Sequence, residues 1–227
     1  MDASEASRIV ATRGAGVGGS VLKQLLDAAI NGVGKVPGAK ATAANALVKH
    51  GSVEPAIDSL VSLHVRMATA QGVATNLGGL WTAPLLLPAN IAGLAIVQIR
   101  LVASIAHLRG YDVDDARVRT AMALCLLGET GVAGLLERNE IPTTPLAIAT
   151  APVFDAALDR LISEKVFGDL SSRLSGRQAI VLIARRIPVL GGGVSGAMHG
   201  WFTSSVGIYG RSQFPNRRRL VARPASE

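Results

Sequence analysis

No charged side chain separates Arg66 from Arg100, and the segment between them places Pro84 and Pro88 around Leu85, Leu86 and Leu87. A run this apolar has two homes, a bilayer or the dry middle of a protein. An interior proline costs a helix about 3 kcal/mol, so one continuous helix from Leu77 to Ile99 is not expected. Pro88 instead suits the first turn of a new helix, Pro88 to His107, closed by Gly110. On a helical wheel Asn90, Gly93, Val97, Arg100, Ser104 and His107 share one side, and Ile91, Leu94, Ala95, Val102 and Ile105 fill much of the rest. In a bilayer Arg100 would stand inside the apolar zone, at about 2.5–3.5 kcal/mol. The helix is therefore expected inside a packed helical domain, with Arg100 answered by a carboxylate or by carbonyls.

A second charge-free stretch runs from Ile187 to Gly210 and carries seven glycines and His199. Pro188 and Gly191–Gly193 predict a turn, followed by a last helix over Val194–Phe214. Gly192, Gly196 and Gly200 fall on one helix face, a stripe that lets another helix approach closely. The two proline-initiated apolar elements, one in each half, are expected to form the centre of the fold.

The rest also reads as helix. Ser20 is the predicted N-cap of a short amphipathic helix to Ile30, which "GVGKVPG" breaks. Ala39–His50 is closed by Gly51. Ser52 caps a long helix that ends near Gly78–Gly79 and has acids in its first turn. Asp114 caps a helix into Leu127 that continues to Arg138, and Thr144-Pro145 opens another, which Pro152 kinks or restarts. No strand pattern is visible. The expected fold is all-α, a single domain of about eight helices over residues 20–214, with a flexible lead-in over 1–19 and a basic disordered tail over 215–227. A mean hydropathy of +0.37 with 49% hydrophobic and 17% charged residues is high for an ordinary soluble domain.

Charge is uneven. Of the net +7, the segment Arg211–Glu227 supplies five arginines and one glutamate, hence +4. Arg217, Arg218, Arg219 and Arg223 can attract anionic lipid. Nucleic acid calls for a broad basic face with stacking aromatics, and only 4% of residues are aromatic. The lone cysteine, Cys125, forbids an internal disulfide and fits a reducing compartment. The acidic start "MDASEASRIV" lacks the basic region of a signal peptide. These features predict a cytoplasmic protein, peripheral at most to the inner face of a membrane.

Catalytic patterns are weak. "GAGVGG" (Gly14–Gly19) has the dinucleotide spacing but no second strand ending in an acid, and no P-loop lysine follows a glycine correctly. Ser104, His107 and Asp112 supply the types of a hydrolytic triad, yet one helix face rarely puts the acid on the far side of the imidazole. Ser195 in "GVSGA" lacks the second glycine of a nucleophile elbow. Cys125 sits in an apolar run, as an inert core thiol does. His50, His64, His107 and His199 show no metal-ligand spacing, so neither metal nor cofactor is expected. Gln98, Arg100, Ser104, His107 and Asp112 form the candidate polar set, with structural pairing of Arg100 to Asp112, Asp114 or Asp115 as its expected role.

The segment from Gly72 to Gly128 carries Gly78–Gly79, Leu87-Pro88-Ala89, Gln98 with Arg100, Ile105-Ala106, Gly110-Tyr111-Asp112 and Leu127-Gly128. In that order they resemble the central signature of the EcsC family of bacterial proteins. The C-terminal "IPVLGGGVSGAMHGWFTSSVGIYGRSQF" resembles that family's second signature, and the likeness covers about Val53 to Phe214. Two positions depart from it: Asn76 replaces a glycine, and His199 stands where an acid or amide is common. The resemblance implies a helical, membrane-associated bacterial protein. Its partners would be membrane lipid or a membrane protein, a transporter among them, and it brings no catalytic set. A non-catalytic accessory or scaffold role follows, with a hydrolase-like or lipid-handling enzyme as the alternative.

Overall fold

The computed structural model describes residues 19–34, 36–77, 83–184 and 190–217, with side chains at 19–34, 36–73, 92–170 and 196–217. Among the described residues the chain is all-α but for one small hairpin. Helix α1 covers 19–31. Strands β1 (Gly32–Val33) and β2 (Val36–Pro37) pair antiparallel, Gly32 with Pro37 and Val33 with Val36. Then follow α2 (Ala39–His50), α3 (Val53–Leu77), α4 (Ala83–Leu108), α5 (Ala116–Cys125), α6 (Gly128–Glu137), α7 (Pro145–Ala149), α8 (Ala156–Ala184) and α9 (Leu190–Gln213).

Local chemistry sets several of these ends. Gly51 is left-handed at φ 72° and its N–H donates to the Leu47 carbonyl, closing α2. Ser52 precedes α3, and its carbonyl accepts from Ala56 N. Gly110 is left-handed; its N–H donates to His107 O while Tyr111 N donates to Ala106 O, so both end carbonyls of α4 are satisfied. Thr144 caps α7 ahead of Pro145, its hydroxyl accepting from Ala147 N. Asp155 Oδ1 accepts from Ala157 N and Leu158 N and restarts the chain as α8 after Pro152.

Five expectations need correction. Pro88 does not open α4: the helix starts at Ala83, with Pro84 in its first turn and Pro88 in its interior. Ser20 lies within α1 rather than before it. The cap of α5 is Asp115, whose side chain accepts from Arg117 N, because Asp112 and Asp114 form the preceding turn. "GVGKVPG" holds the hairpin, made possible by Gly32 at φ 89° and by Gly38, where a Cβ would stand 2.2 Å from Ile30 O. The last helix starts at Leu190 and so includes Gly191–Gly193. Pro188 lies outside the described residues, as do Gly14–Gly18, Gly78–Gly79, Arg218, Arg219 and Arg223.

Helix α4 explains the architecture. Ile99, Val102, Ala103 and Ala106 join the larger core with α1, α5, α6, α7, α8 and the end of α9. Leu101, Ile105 and Leu108 join a second core with Ala43 of α2 and Ala56, Ile57 and Leu60 of α3. Lying between two cores, its C-terminal half is buried on nearly every side. No described helix is long and apolar enough to cross a membrane alone; α5 and α6 qualify only jointly, and they are bent by 102°. Gly128, left-handed at φ 69°, makes that bend, and α5 is core.

Candidate functional site

Helices α3 and α9 run antiparallel, and glycine sets their separation. A Cβ at Gly196 would lie 2.8 Å from Val73 Cγ2 and 3.0 Å from Thr69 O. One at Gly200 would lie 2.4 Å from Thr69 Oγ1. The row continues toward the C-terminus, where a Cβ at Gly207 would lie 3.0 Å from Leu101 Cδ2. The small-residue stripe read from Gly196 and Gly200 therefore faces α3; the surroundings of Gly192 fall outside the described side chains.

One end of this α3–α4–α9 layer is locked by charge. Arg109, at the end of α4, places Nη2 2.8 Å from Glu54 Oε1, and its Nη1 donates to Phe214 O at 3.2 Å. Arg211 of α9 donates to the same Glu54 at 2.6 Å and to Asp58 at 2.6 Å. Arg217 N donates to Arg109 O, and the Arg217 guanidinium lies 5.1 Å above the Tyr111 ring, which meets Phe214 edge-on. The expected disordered tail is thus anchored through Arg217 before its remaining arginines begin.

About 13 Å along α4 from Arg109, a polar belt crosses the interior. Arg100 is 5% exposed. Its Nε donates to His64 Nε2 at 3.3 Å, Nη1 to Pro37 O at 3.4 Å and Nη2 to Met67 Sδ at 3.4 Å. The expected acid is absent: among the described residues Arg100 makes no ion pair, Asp112 is exposed and accepts from Asp114 N, and Asp114 pairs with Lys40. His64 is fully buried and its Nδ1 donates to Leu60 O at 2.7 Å, which leaves Nε2 to accept from Arg100. That tautomer is neutral. Burial is the main cause that pulls its pKa down to about 4; the Leu60 bond works against this and the Arg100 charge with it. Burial also lowers the pKa of Arg100, though an arginine stays protonated in a protein.

The other candidates are committed elsewhere. The buried Ser104 hydroxyl donates to Ala39 O at 3.1 Å, and Gln98 Nε2 donates to Thr203 Oγ1 at 3.3 Å. His107 is half-buried near the end of α4. Burial pushes the Cys125 thiol far up, as for an inert core residue. No group of His, Cys, Asp and Glu among the described residues could hold a metal ion. Sequence reasoning missed His64 as the partner of Arg100 and Glu54 as a hub for two arginines. Both follow from helix pairing across long separations, and the only local signal was His64 as a polar residue on the inward side of α3.

The outer face of α9 is unlike the belt. Trp201 is 65% exposed and Ile208 63%. Two serines near them turn back into the helix: Ser205 Oγ donates to Trp201 O and Ser212 Oγ to Tyr209 O. Arg211, the first charge after Arg186, points to Glu54 and Asp58. The chain matches no protein-family model, no curated protein and no solved structure.

Proposed function

We propose that this is a peripheral, non-catalytic helical protein that rests on a lipid surface through the outer face of α9. One observation carries the reading: an exposed Trp201–Ile208 face inside a charge-free run, where the Ser205 hydroxyl between them donates to its own helix at Trp201 O. Such a face loses little on leaving water, and a tryptophan ring is at home where headgroups meet acyl chains. The arginines from Arg217 onward add electrostatic attraction to anionic lipid, about 1 kcal/mol each near the surface. The likeness to the EcsC family supports the same role, at the inner face of a bacterial membrane beside a membrane protein such as a transporter. Of the residues a hydrolase would need, the buried Ser104 donates its hydroxyl to Ala39 O, and Asp112 is exposed and accepts from Asp114 N.

Flotation with vesicles of zwitterionic lipid containing an anionic fraction tests this. The native chain floats. Trp201→Ser with Ile208→Ser remains at the bottom of the gradient at every salt concentration. Replacement of Arg217, Arg218, Arg219 and Arg223 by Gln weakens flotation at low salt and leaves the salt-resistant part. A native chain that stays out of the lipid fraction refutes the reading.

A further inference from the structure

Two arginines, Arg100 in α4 and Arg109 just past its end, are buried alike and answered differently. Arg109 meets the carboxylate of Glu54. Arg100 meets an imidazole, a carbonyl and a thioether, all at 3.3 Å or more. A guanidinium has five N–H groups, so two of those on Arg100 have no acceptor among the described residues. A buried cation in neutral surroundings is costly, and the usual remedy is an anion with bidentate geometry. No acid can reach it from the neighbouring sequence, because none occurs between Asp58 and Asp112. The β1–β2 hairpin lies over the guanidinium through Pro37 O, and it exposes Val33 (58%) and Val36 (50%) to solvent beside that contact. His64 cannot serve as a competing cation, since its two nitrogens are fixed in the neutral form by Leu60 O and Arg100.

We infer that Arg100 anchors an internal site for an oxyanion, a carboxylate or phosphate, entered beside the 32–37 hairpin. The oxyanion takes the two idle N–H groups and displaces the long contacts to Pro37 O and Met67 Sδ. The exposed valines of the hairpin and the charge-free parts of α3 and α4 favour an anion that carries an apolar chain, such as a fatty acid or an alkyl phosphate. The site stands apart from the vesicle reading: a chain that fails to float and still binds decanoate through Arg100 refutes only that reading.

Calorimetric titration of the full chain decides. Decanoate and decyl phosphate bind, decanol does not, and Arg100→Met weakens binding by about tenfold or more, as expected for a lost charge-assisted contact. The same substitution lowers the melting temperature less than Arg109→Met does, because it breaks long neutral contacts and removes a charge that no carboxylate among the described residues pairs. If acetate and inorganic phosphate fill the same Arg100-dependent site as tightly, the oxyanion site holds and its ligand is a free anion. Should Arg100→Met misfold, the Arg100 Nε–H resonance of the native chain reports instead and moves on adding decanoate. Anion binding unchanged in Arg100→Met, a resonance that does not move, or no anion binding at all overturns the inference.

Discussion

The two ends of the α3–α4–α9 layer are built from the same three helices by opposite means. At one end Glu54, Asp58, Arg109 and Arg211 hold the helices in register by charge, and Phe214 and Arg217 close over them. Toward the other end charge vanishes beyond Arg66, Arg100 and Arg211, and glycine does the holding. Paired charges fix geometry but demand partners, and they suit an end that stays in water. Glycine contacts fix geometry without presenting a polar group, and they suit a part of the molecule that meets apolar surroundings. Arg100 and His64 lie at the border, where the first strategy gives way to the second.

The largest test of this contrast is at the glycine end. Gly200→Leu forces side-chain atoms into Thr69 and Val65, and Gly→large replacement in a packed contact costs about 3 kcal/mol; chemical denaturation of the variant measures it. Next comes acid. His64 binds its proton near pH 4 in the folded chain and near 6.5 when unfolded. The unfolded state therefore holds more protons between those values, and stability falls on acidification from about pH 6.5 to 4, by about 3 kcal/mol in all. His64→Leu flattens that part of the stability curve and leaves acid losses from carboxylates. At the charged end Arg109→Met leaves Glu54 with Arg211 alone and costs about 2 kcal/mol, less than a fully buried pair because Glu54 is 42% exposed. Arg100→Met, nine residues earlier in the chain, brings no such loss, and equal destabilisation by the two would erase the contrast. The smallest effect is at Trp201→Ser, which changes stability by no more than about 0.5 kcal/mol while abolishing most salt-resistant flotation.

Features with local causes were legible in the sequence. Gly51, Gly110 and the Thr144-Pro145 pair mark helix ends because capping involves only adjacent residues. The all-α class followed from periodicity, and the packing role of Gly196 and Gly200 from four-residue spacing. Pro88 misled because its penalty is finite: it removes one hydrogen bond, and a helix whose other half is buried between two cores outweighs that. Starting at Ala83 also puts Pro84 where no N–H bond is lost. The cap of α5 slipped from Asp114 to Asp115 because three acids compete, and Asp112 already makes the turn with Asp114 N. The partners of Arg100 and Arg109 were illegible for a different reason. Nothing in the chain near residue 100 or 109 distinguishes an arginine that will meet His64 from one that will meet Glu54; helix register alone decides it.

Trp201 offers the most direct probe of whether the charge-free face enters lipid. Trp81→Phe leaves it as the sole tryptophan, and vesicles with bromine on the acyl chains quench an indole only at contact. Trp201 emission should shift to the blue on binding and be quenched most by bromines near the headgroup end of the chains. Emission that stays at its aqueous maximum and escapes quenching, while the protein still travels with the vesicles, would show that another surface makes the contact.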